Sequence, residues 1–343
     1  MMMRAPLLAA AALLCGLTEA ADPVKVFILM GQSNMVGEGK VAGSTKNGTL
    51  EFAVKTEGKY PYLWDAKTGT WAVSDHVRNV FIMGVGNASF EGSKLLHNEL
   101  MGVNTTLKAT IGPELGIGFT IGVYEKAPVM ILKSCIGNRA LGWDLLPPGS
   151  PSFDYKDGKG TVYTYAGYHQ SPSKWVKGTK PVPIGWMAGI QYDGDTDRAA
   201  TILSDLGTYY PGATKYEVAG FLWWQGDRDH YDLALSQRYE LNLVRLIKAL
   251  RTQFKAPKAK FVTASLGQTV KGSTGTDGLI LDAMLNVDGT SGKYPEFKGN
   301  VAAVYSHPYS MGGGSSSHYG GNAETYMNIG QAMGAAMVGL LKQ

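Results

Sequence analysis

The chain alternates between short apolar runs and longer segments with apolar residues on one helical face. Five runs are apolar almost throughout, which is typical of strands that a parallel sheet buries on both faces: 24–30, 129–132, 218–224, 260–266 and 301–305. We predict helices in five further segments, from apolar spacing or an early proline: 113–124, 197–209, 231–254, 278–285 and 323–341. This alternation predicts a three-layer α/β fold with a doubly wound sheet of about five parallel strands.

Two long stretches interrupt the alternation, at 38–110 and 142–195, and both are rich in Gly, Pro, Tyr and Trp. We predict loop insertions there, and loops of this length are uncommon unless they serve a function. Their aromatic residues have two explanations: they form stacking platforms for sugar rings, or they fix long loops against the core. We favour the second explanation for most of them.

The N-terminus has the features of an export signal. Arg4 precedes an apolar run at 5–17, and small residues follow at Thr18 and Ala20. We therefore predict a signal peptide over 1–20 that is cleaved after Ala20. The apolar run is too short to span a bilayer, and no later run offers a substitute. We expect a single mature domain at 21–343 that is secreted or periplasmic and has no membrane partner.

The composition narrows the classes of function. Of the 343 residues, 44% are hydrophobic and 17% are charged, which suits a globular protein with a large core. The net charge is +4, and Lys and Arg are scattered rather than gathered in a stripe, so nothing favours a nucleic-acid partner. Removal of the signal peptide would leave Cys135 as the only cysteine, which excludes an intramolecular disulfide.

The end of the first predicted strand carries the first candidate for chemistry. In ILMGQSNMVGEG the apolar run stops at Gly31, and Ser33 follows in a glycine-rich turn. A serine in such a turn is common. Three other segments, however, add residues that a hydrolase site needs: KSCIGNRALGW with Gly137, FLWWQGDRD with Gln225, and GGGSSSHYGGNAETYMNIGQAMG with His318. Ligands bind beyond the carboxyl ends of parallel strands. These residues therefore form a hydrolase constellation.

Three motifs together resemble a known family. GQSNM around Ser33, WWQGD around Gln225 and the terminal SHYGGNAETYMNIGQAMG are similar to the sialate O-acetylesterase and acetylxylan esterase branch of the SGNH hydrolase superfamily. The resemblance spans nearly the whole mature chain. It implies a flavodoxin-like sheet and a serine esterase that needs no cofactor. Its expected partner is an acetylated carbohydrate, such as sialate or xylan, from which it removes O-acetyl groups.

The resemblance also implies roles for individual residues. Ser33 matches the nucleophile, and its backbone N–H would be one donor of the oxyanion hole. Gly137 matches a second backbone donor, although the family's common Gly-Gly-Thr reads GNR here. Gln225 matches a side-chain donor, and His318 matches the general base. An imidazole with a pKa near about 6.5 suits the removal of a serine proton at neutral pH.

The acid of the triad is the point at which the chain departs from the family. The usual aspartate three residues before the histidine is replaced here by Ser315. In this branch the residue after QG is commonly a glutamate that orients the histidine, and Asp227 occupies that place. Asp229, or no acid at all, remains an alternative. His307 is an alternative base.

Neighbours of these residues complete the expected site. The candidate substrate contacts are Gln32, Asn34, Asn138 and Trp224. We expect no metal, because no two of four further histidines have the spacing of metal ligands on a recognisable helix. These histidines are His76, His97, His169 and His230. Two rival functions remain open, a glycan-binding protein that has lost catalysis and a lipolytic esterase of the same superfamily.

Overall fold

A computed structural model describes residues 22–104 and 110–343, and the predicted signal peptide lies outside them. The α-helices of the described residues are α1 (Ser33–Val36), α2 (Glu114–Tyr124), α3 (Ile190–Ser204), α4 (Leu206–Tyr209), α5 (Leu233–Gln253), α6 (Gly275–Asn286) and α7 (Ala323–Leu341). The strands are β1 (Val24–Gly31), β2 (Gly39–Lys40), β3 (Trp64–Asp65), β4 (Thr70–Trp71), β5 (Val73–Met83), β6 (Lys94–Gly102), β7 (Thr110–Ile111), β8 (Val129–Ser134), β9 (Phe153–Lys156), β10 (Val162–Tyr165), β11 (Lys174–Val176), β12 (Tyr216–Trp224), β13 (Lys260–Ala264) and β14 (Val301–Val304).

The main sheet has seven strands in the order β14-β13-β12-β1-β8-β5-β6. All neighbours are parallel except β5 and β6, which pair antiparallel at one edge. The five predicted strands are present, and the predicted α/β fold class is confirmed. The predicted number of strands is too low, because β5 and β6 lie within the stretch 38–110. β6 is partly exposed along most of its length, so an edge strand of this kind has no continuous apolar run to reveal it.

Helices cover both faces of the sheet and give it three layers. Successive residues of a strand point to opposite faces. Phe27 and Leu29 of β1 therefore join the core beneath α2 and α7, whereas Val26, Ile28 and Met30 join the core beneath α3, α5 and α6. The carboxyl ends of the parallel strands share one edge, where ligands of such sheets bind.

The predicted helices are all present, with one displaced start. The helix predicted at 197–209 begins at Ile190 and is interrupted at Asp205 before α4. Asp193, Gly194 and Asp195 give this sequence the composition of a turn. In α3, however, Asp195 is fully buried and is held by hydrogen bonds within the helix. No helix among the described residues combines the length and the apolar character that a membrane span needs.

The aromatic residues of the two insertions pack mainly against one another and the core. The second insertion contains a separate antiparallel sheet in the order β11-β10-β9. There Phe153 stacks on Tyr165 with 5.0 Å between ring centroids. In the first insertion Trp64 and Trp71 lie 5.3 Å apart, edge to face, and both contact the main core. These contacts favour the explanation that the aromatics fix the loops.

Candidate active site

The carboxyl end of β1 places Ser33 at the edge of the sheet. Gly31 is required just before it, because its φ is 150° and a Cβ there would lie 2.3 Å from the carbonyl oxygen of Trp224. The chain then turns into α1, whose first residue is Ser33 and which buries Met35. Ser33 itself is only half-buried. The turn therefore presents Ser33 at the edge where open α/β sheets bind ligands.

A buried lysine supports this turn. Nζ of Lys133, on β8, donates to the carbonyl oxygen of Val36 over 2.8 Å and to Oε2 of Glu114 over 2.7 Å. Lys133 is 1% exposed, and a cation at the end of a helical turn stabilises its free carbonyl groups. The sequence analysis missed Lys133, because a lysine inside an apolar strand gives no sign of its partners.

Gly137 lies beside Ser33. A Cβ added at Gly137 would be 3.5 Å from Cβ of Ser33. Within residues 22–104 and 110–343, the backbone N–H of Ser33 and that of Gly137 donate no hydrogen bond. Two neighbouring free amide donors beside a serine are what an oxyanion hole requires.

The segment Ser315–Gly321 packs against α1 and carries His318. His318 and Tyr319 have left-handed backbone with φ of 51° and 53°, a conformation that costs about 1–3 kcal/mol per residue. The burial of Tyr319 offsets this cost: its ring stacks on Trp224 at 5.8 Å, and its hydroxyl accepts the N–H of Gly267. Tyr319 thus fixes the backbone of the neighbouring His318.

Asp227 is joined to the same segment through Ser315. The hydroxyl of Ser315 donates a hydrogen bond to Oδ1 of Asp227, and Ser315 is 1% exposed. Ser315 stands where the resemblance noted in the sequence would place an aspartate, and its hydroxyl connects the carboxylate of Asp227 to the loop of His318. The ring of His318 makes no hydrogen bond within the described part of the chain.

Gln225 uses its side-chain donors inside the protein. It is fully buried, and its Nε2 contacts Oε1 of Gln32 at 3.1 Å, the carbonyl oxygen of Arg139 at 2.9 Å and Oδ2 of Asp229 at 2.6 Å. Its Oε1 accepts the hydroxyl of Tyr239. An amide nitrogen has two N–H groups, so none is left for a substrate oxygen. The predicted place of Gln225 in the oxyanion hole does not fit this geometry.

Asp229 is fully buried between strand-end loops. Its carboxylate accepts the backbone N–H of Leu141 and of Gly142, each over 2.8 Å, besides the amide of Gln225. Burial raises the pKa of Asp229 to about 6, although these hydrogen bonds oppose the rise. None of its donors belongs to His318. Of the two candidate acids, Asp227 is therefore the better placed.

The predicted substrate contacts differ in exposure. Asn138 is exposed at the rim of the site. Gln32, Asn34 and Trp224 are each at most 1% exposed. A buried side chain presents no surface to a ligand, so substrate contact fits Asn138 and does not fit the other three. Both amide atoms of Asn34 lack a hydrogen-bond partner among the described residues.

A cavity of about 350 Å³ lies next to these loops. Asn138 and Arg139 line it from the loop after β8, and Arg228 lines it from the loop after β12. Trp143 and Tyr231 form further walls, and Tyr231 is 61% exposed. The guanidinium of Arg228 makes no hydrogen bond in the described chain. The sequence analysis missed Arg228, whose only signal was its position directly after Asp227.

The remaining histidines are engaged elsewhere. Four pair with carboxylates: His76 with Asp75, His97 with Glu99, His169 with Asp193 and His230 with Asp277. Nδ1 of His307, the alternative base, lies 2.9 Å from the carbonyl oxygen of Gly267. Among the described residues, no three His, Cys, Asp or Glu side chains gather in a way that could hold a metal ion.

Residues 182–338 match the family SASA, described as carbohydrate esterase, sialic acid-specific acetylesterase. The predicted resemblance to carbohydrate esterases is confirmed. The matching range contains Gln225, Asp227 and His318, and it begins well after Ser33. No curated protein sequence matches the chain.

Several solved structures are similar to this chain. A protein of Arabidopsis thaliana is 17% identical with a TM-score of 0.49, over 92% of this chain and 98% of its own. XAC1771, a carbohydrate acetylesterase from Xanthomonas citri, is 12% identical with a TM-score of 0.49, over 91% of this chain and 55% of its own. NanS is 13% identical with a TM-score of 0.41, over 83% of this chain and 78% of its own.

Proposed function

We propose that this protein is a secreted serine esterase that removes O-acetyl groups from carbohydrate. The observation that carries the proposal is the pair of free amide donors of Ser33 and Gly137, next to the segment that holds His318. The family match over residues 182–338 supports the same class of reaction.

The reaction proceeds through an acyl-enzyme. His318 accepts the hydroxyl proton of Ser33 while Oγ attacks the acetyl carbonyl carbon. The negative charge that develops on the carbonyl oxygen is stabilised by the N–H groups of Ser33 and Gly137. The tetrahedral intermediate collapses, the bond to the sugar oxygen breaks, and the imidazolium returns the proton to that oxygen. Water then attacks the acetyl-serine by the same route and releases acetate.

Asp227 completes the triad in this proposal. Its Oδ1 is taken by the hydroxyl of Ser315, and its Oδ2 makes no hydrogen bond among the described residues. Oδ2 is the atom that would accept the ring N–H of His318 and stabilise the imidazolium. Ser315 would hold the carboxylate in place for this contact.

The cavity lined by Asn138, Arg228 and Tyr231 would receive the sugar. Its volume of about 350 Å³ falls in the range of about 300–1,000 Å³ that small-molecule sites occupy. The exposed ring of Tyr231 offers a face for the C–H groups of a sugar ring. Asn138 and Arg228 offer amide and guanidinium groups for sugar oxygens.

The test is acetate release from a chromogenic acetyl ester and from acetylated xylan, sialic acid and pectin. Ser33→Ala is expected to lower kcat at least about 10⁴-fold, since removal of a serine nucleophile has effects of this order or larger. Ser204→Ala is the matched control, because Ser204 is exposed and its hydroxyl, among the described residues, bonds only to the carbonyl oxygen of Thr201. Turnover by Ser33→Ala at the rate of the wild type would overturn the proposal.

A glycan-binding protein without catalysis is the second candidate. It is favoured by the free ring of His318, which contacts no carboxylate in the described chain. This candidate predicts measurable affinity for an acetylated glycan together with no acetate release. Isothermal calorimetry with the same glycans separates the two candidates.

A further inference from the structure

Two strand-end loops of the site meet at one buried carboxylate. The loop after β8 contributes the N–H groups of Leu141 and Gly142, which donate to Oδ2 and Oδ1 of Asp229 over 2.8 Å each. The loop after β12 contributes Asp229 itself and Gln225, whose Nε2 lies 2.6 Å from Oδ2. Asp229 is 0% exposed, so water does not compete for these bonds.

Gln225 extends this connection to the nucleophile turn. Its Nε2 also lies 3.1 Å from Oε1 of Gln32, the residue before Ser33. The same Oε1 accepts the N–H of Arg228 over 3.0 Å. A chain of hydrogen bonds therefore runs from the loop of Gly137, through Asp229 and Gln225, to the backbone that carries Ser33.

We propose that Asp229 is a positioning residue that sets the spacing between the two oxyanion donors, the N–H groups of Ser33 and Gly137. The inference rests on the proposed esterase function and deepens it. Asp229 touches neither substrate nor reacting atoms. It acts by holding the loop after β8 against the turn after β1, and a displacement of about 1 Å in such a site costs on the order of 100-fold in rate.

The charge of Asp229 is essential to this role. An ionised carboxylate only accepts, and its hydrogen bonds with backbone N–H groups are stronger than neutral ones. Protonation would give the carboxyl group an O–H donor that faces the N–H donors of Leu141, Gly142 and Gln225. Among the described residues, two titratable groups interact electrostatically with its carboxylate: the carboxylate of Asp144, which raises the pKa of Asp229, and the hydroxyl of Tyr239. With a pKa of about 6, Asp229 loses its charge as the pH falls below that value.

Asp229→Asn tests the role, because asparagine keeps the shape and removes the charge. We expect kcat for a chromogenic acetyl ester to fall about 30- to 100-fold with KM within about threefold, since the lost interaction acts on the transition state. The pH profile gives a second readout. In the wild type, log(kcat/KM) should fall with a slope approaching about two over the one to two pH units below about 6, because protonation of Asp229 lowers the rate in addition to protonation of the general base. In Asp229→Asn the slope should be about one.

Asp195→Asn is the matched control. Asp195 is also a fully buried carboxylate, but its side-chain oxygen accepts from Gln191 and Arg198 within α3 rather than from a strand-end loop. The kcat of Asp195→Asn should stay within about threefold of the wild type, and the slope of its log(kcat/KM) profile at acid pH should match that of the wild type. A folded Asp229→Asn with the kcat and slope of the wild type would overturn the inference.

Two further outcomes are decisive. If Asp229→Asn does not fold, the wild-type profile alone decides, and an acid slope of about one overturns the inference. If the wild type hydrolyses acetyl esters and Ser33→Ala does not, the proposed function stands whatever the result for Asp229. Absence of turnover by the wild type would instead contradict the proposed function and remove the basis of the inference.

Discussion

The hydroxyl of Ser315 donates a hydrogen bond to the carboxylate of Asp227, and this bond joins the loop after β12 to the segment of His318. The acid and the base of the proposed triad thus come from parts of the chain that only the fold brings together. Ser315 occupies the position at which the family resemblance would place the acid, and its hydroxyl contacts Asp227, the acid of the proposed triad.

Ser315→Ala removes this connection. We expect kcat to fall about 10- to 100-fold, because a hydrogen bond to a charged group contributes about 1.5–3 kcal/mol. KM for the chromogenic ester should change little. Steady-state kinetics of Ser315→Ala, Asp227→Asn and the double variant measure the coupling. If the two losses simply multiply in the double variant, Ser315 does not act through Asp227.

Tyr319→Leu should displace His318. Loss of the buried ring removes its stacking on Trp224 and should destabilise the protein by about 2–5 kcal/mol. The strained backbone of His318 would relax, so kcat should fall even where the protein remains folded. Tyr319→Phe is the control, since it keeps the ring and loses only the hydrogen bond from Gly267. Equal kcat for the two variants, measured well below the unfolding midpoint, would contradict the account.

Arg228→Ala should separate sugar binding from chemistry. The guanidinium lines the cavity proposed for the sugar, so we expect KM for an acetylated glycan to rise about tenfold, as for a lost charged hydrogen bond of about 1.4 kcal/mol. KM for a small chromogenic acetyl ester, which has no sugar, should stay the same. Lys67→Ala, at an exposed turn, controls for the loss of a positive charge. An unchanged glycan KM would rule out Arg228 as a sugar contact.

The stability of the protein should depend on pH through Asp195. Burial raises the pKa of Asp195 from 3.8 to about 7, so the folded protein holds a proton that the unfolded chain has already released between these values. The free energy of unfolding contributed by this group is therefore highest below about pH 4 and falls as the pH rises towards 7. In Asp195→Asn this fall should be absent. Urea unfolding at several pH values measures it, and the same pH dependence in both proteins would contradict the assignment.

The parts of the fold that the sequence predicts are those buried on both faces. β1 and β8 are apolar along most of their length, because layers of helices cover both of their faces. After its first residue, Val73, β5 continues with Ser74, Asp75 and His76 near the edge of the sheet, where one side of the strand meets solvent. Such a strand looks like a loop in sequence, because its pattern depends on neighbours that lie far away in the chain.

The sequence predicts which residue types form the site better than it predicts where their side chains point. A glycine-rich turn after a buried strand places Ser33 at the sheet edge, which the sequence indicates on physical grounds. The presence of Gln at position 225 does not reveal whether its side-chain amide points to substrate or into the protein. That direction is decided by Asp229, Gln32 and Arg139, which supply acceptors from three separate loops.

Covalent labelling of Ser33 is the most direct test of the central claim, that His318 activates this serine as a nucleophile. The protein is treated with a fluorophosphonate, digested, and mapped by mass spectrometry, with His318→Ala and Ser204→Ala treated in parallel. The account predicts one adduct on Ser33 in the wild type and in Ser204→Ala, and a label that forms several orders of magnitude more slowly in His318→Ala. An adduct on another residue, or rapid labelling of Ser33 without His318, would contradict it.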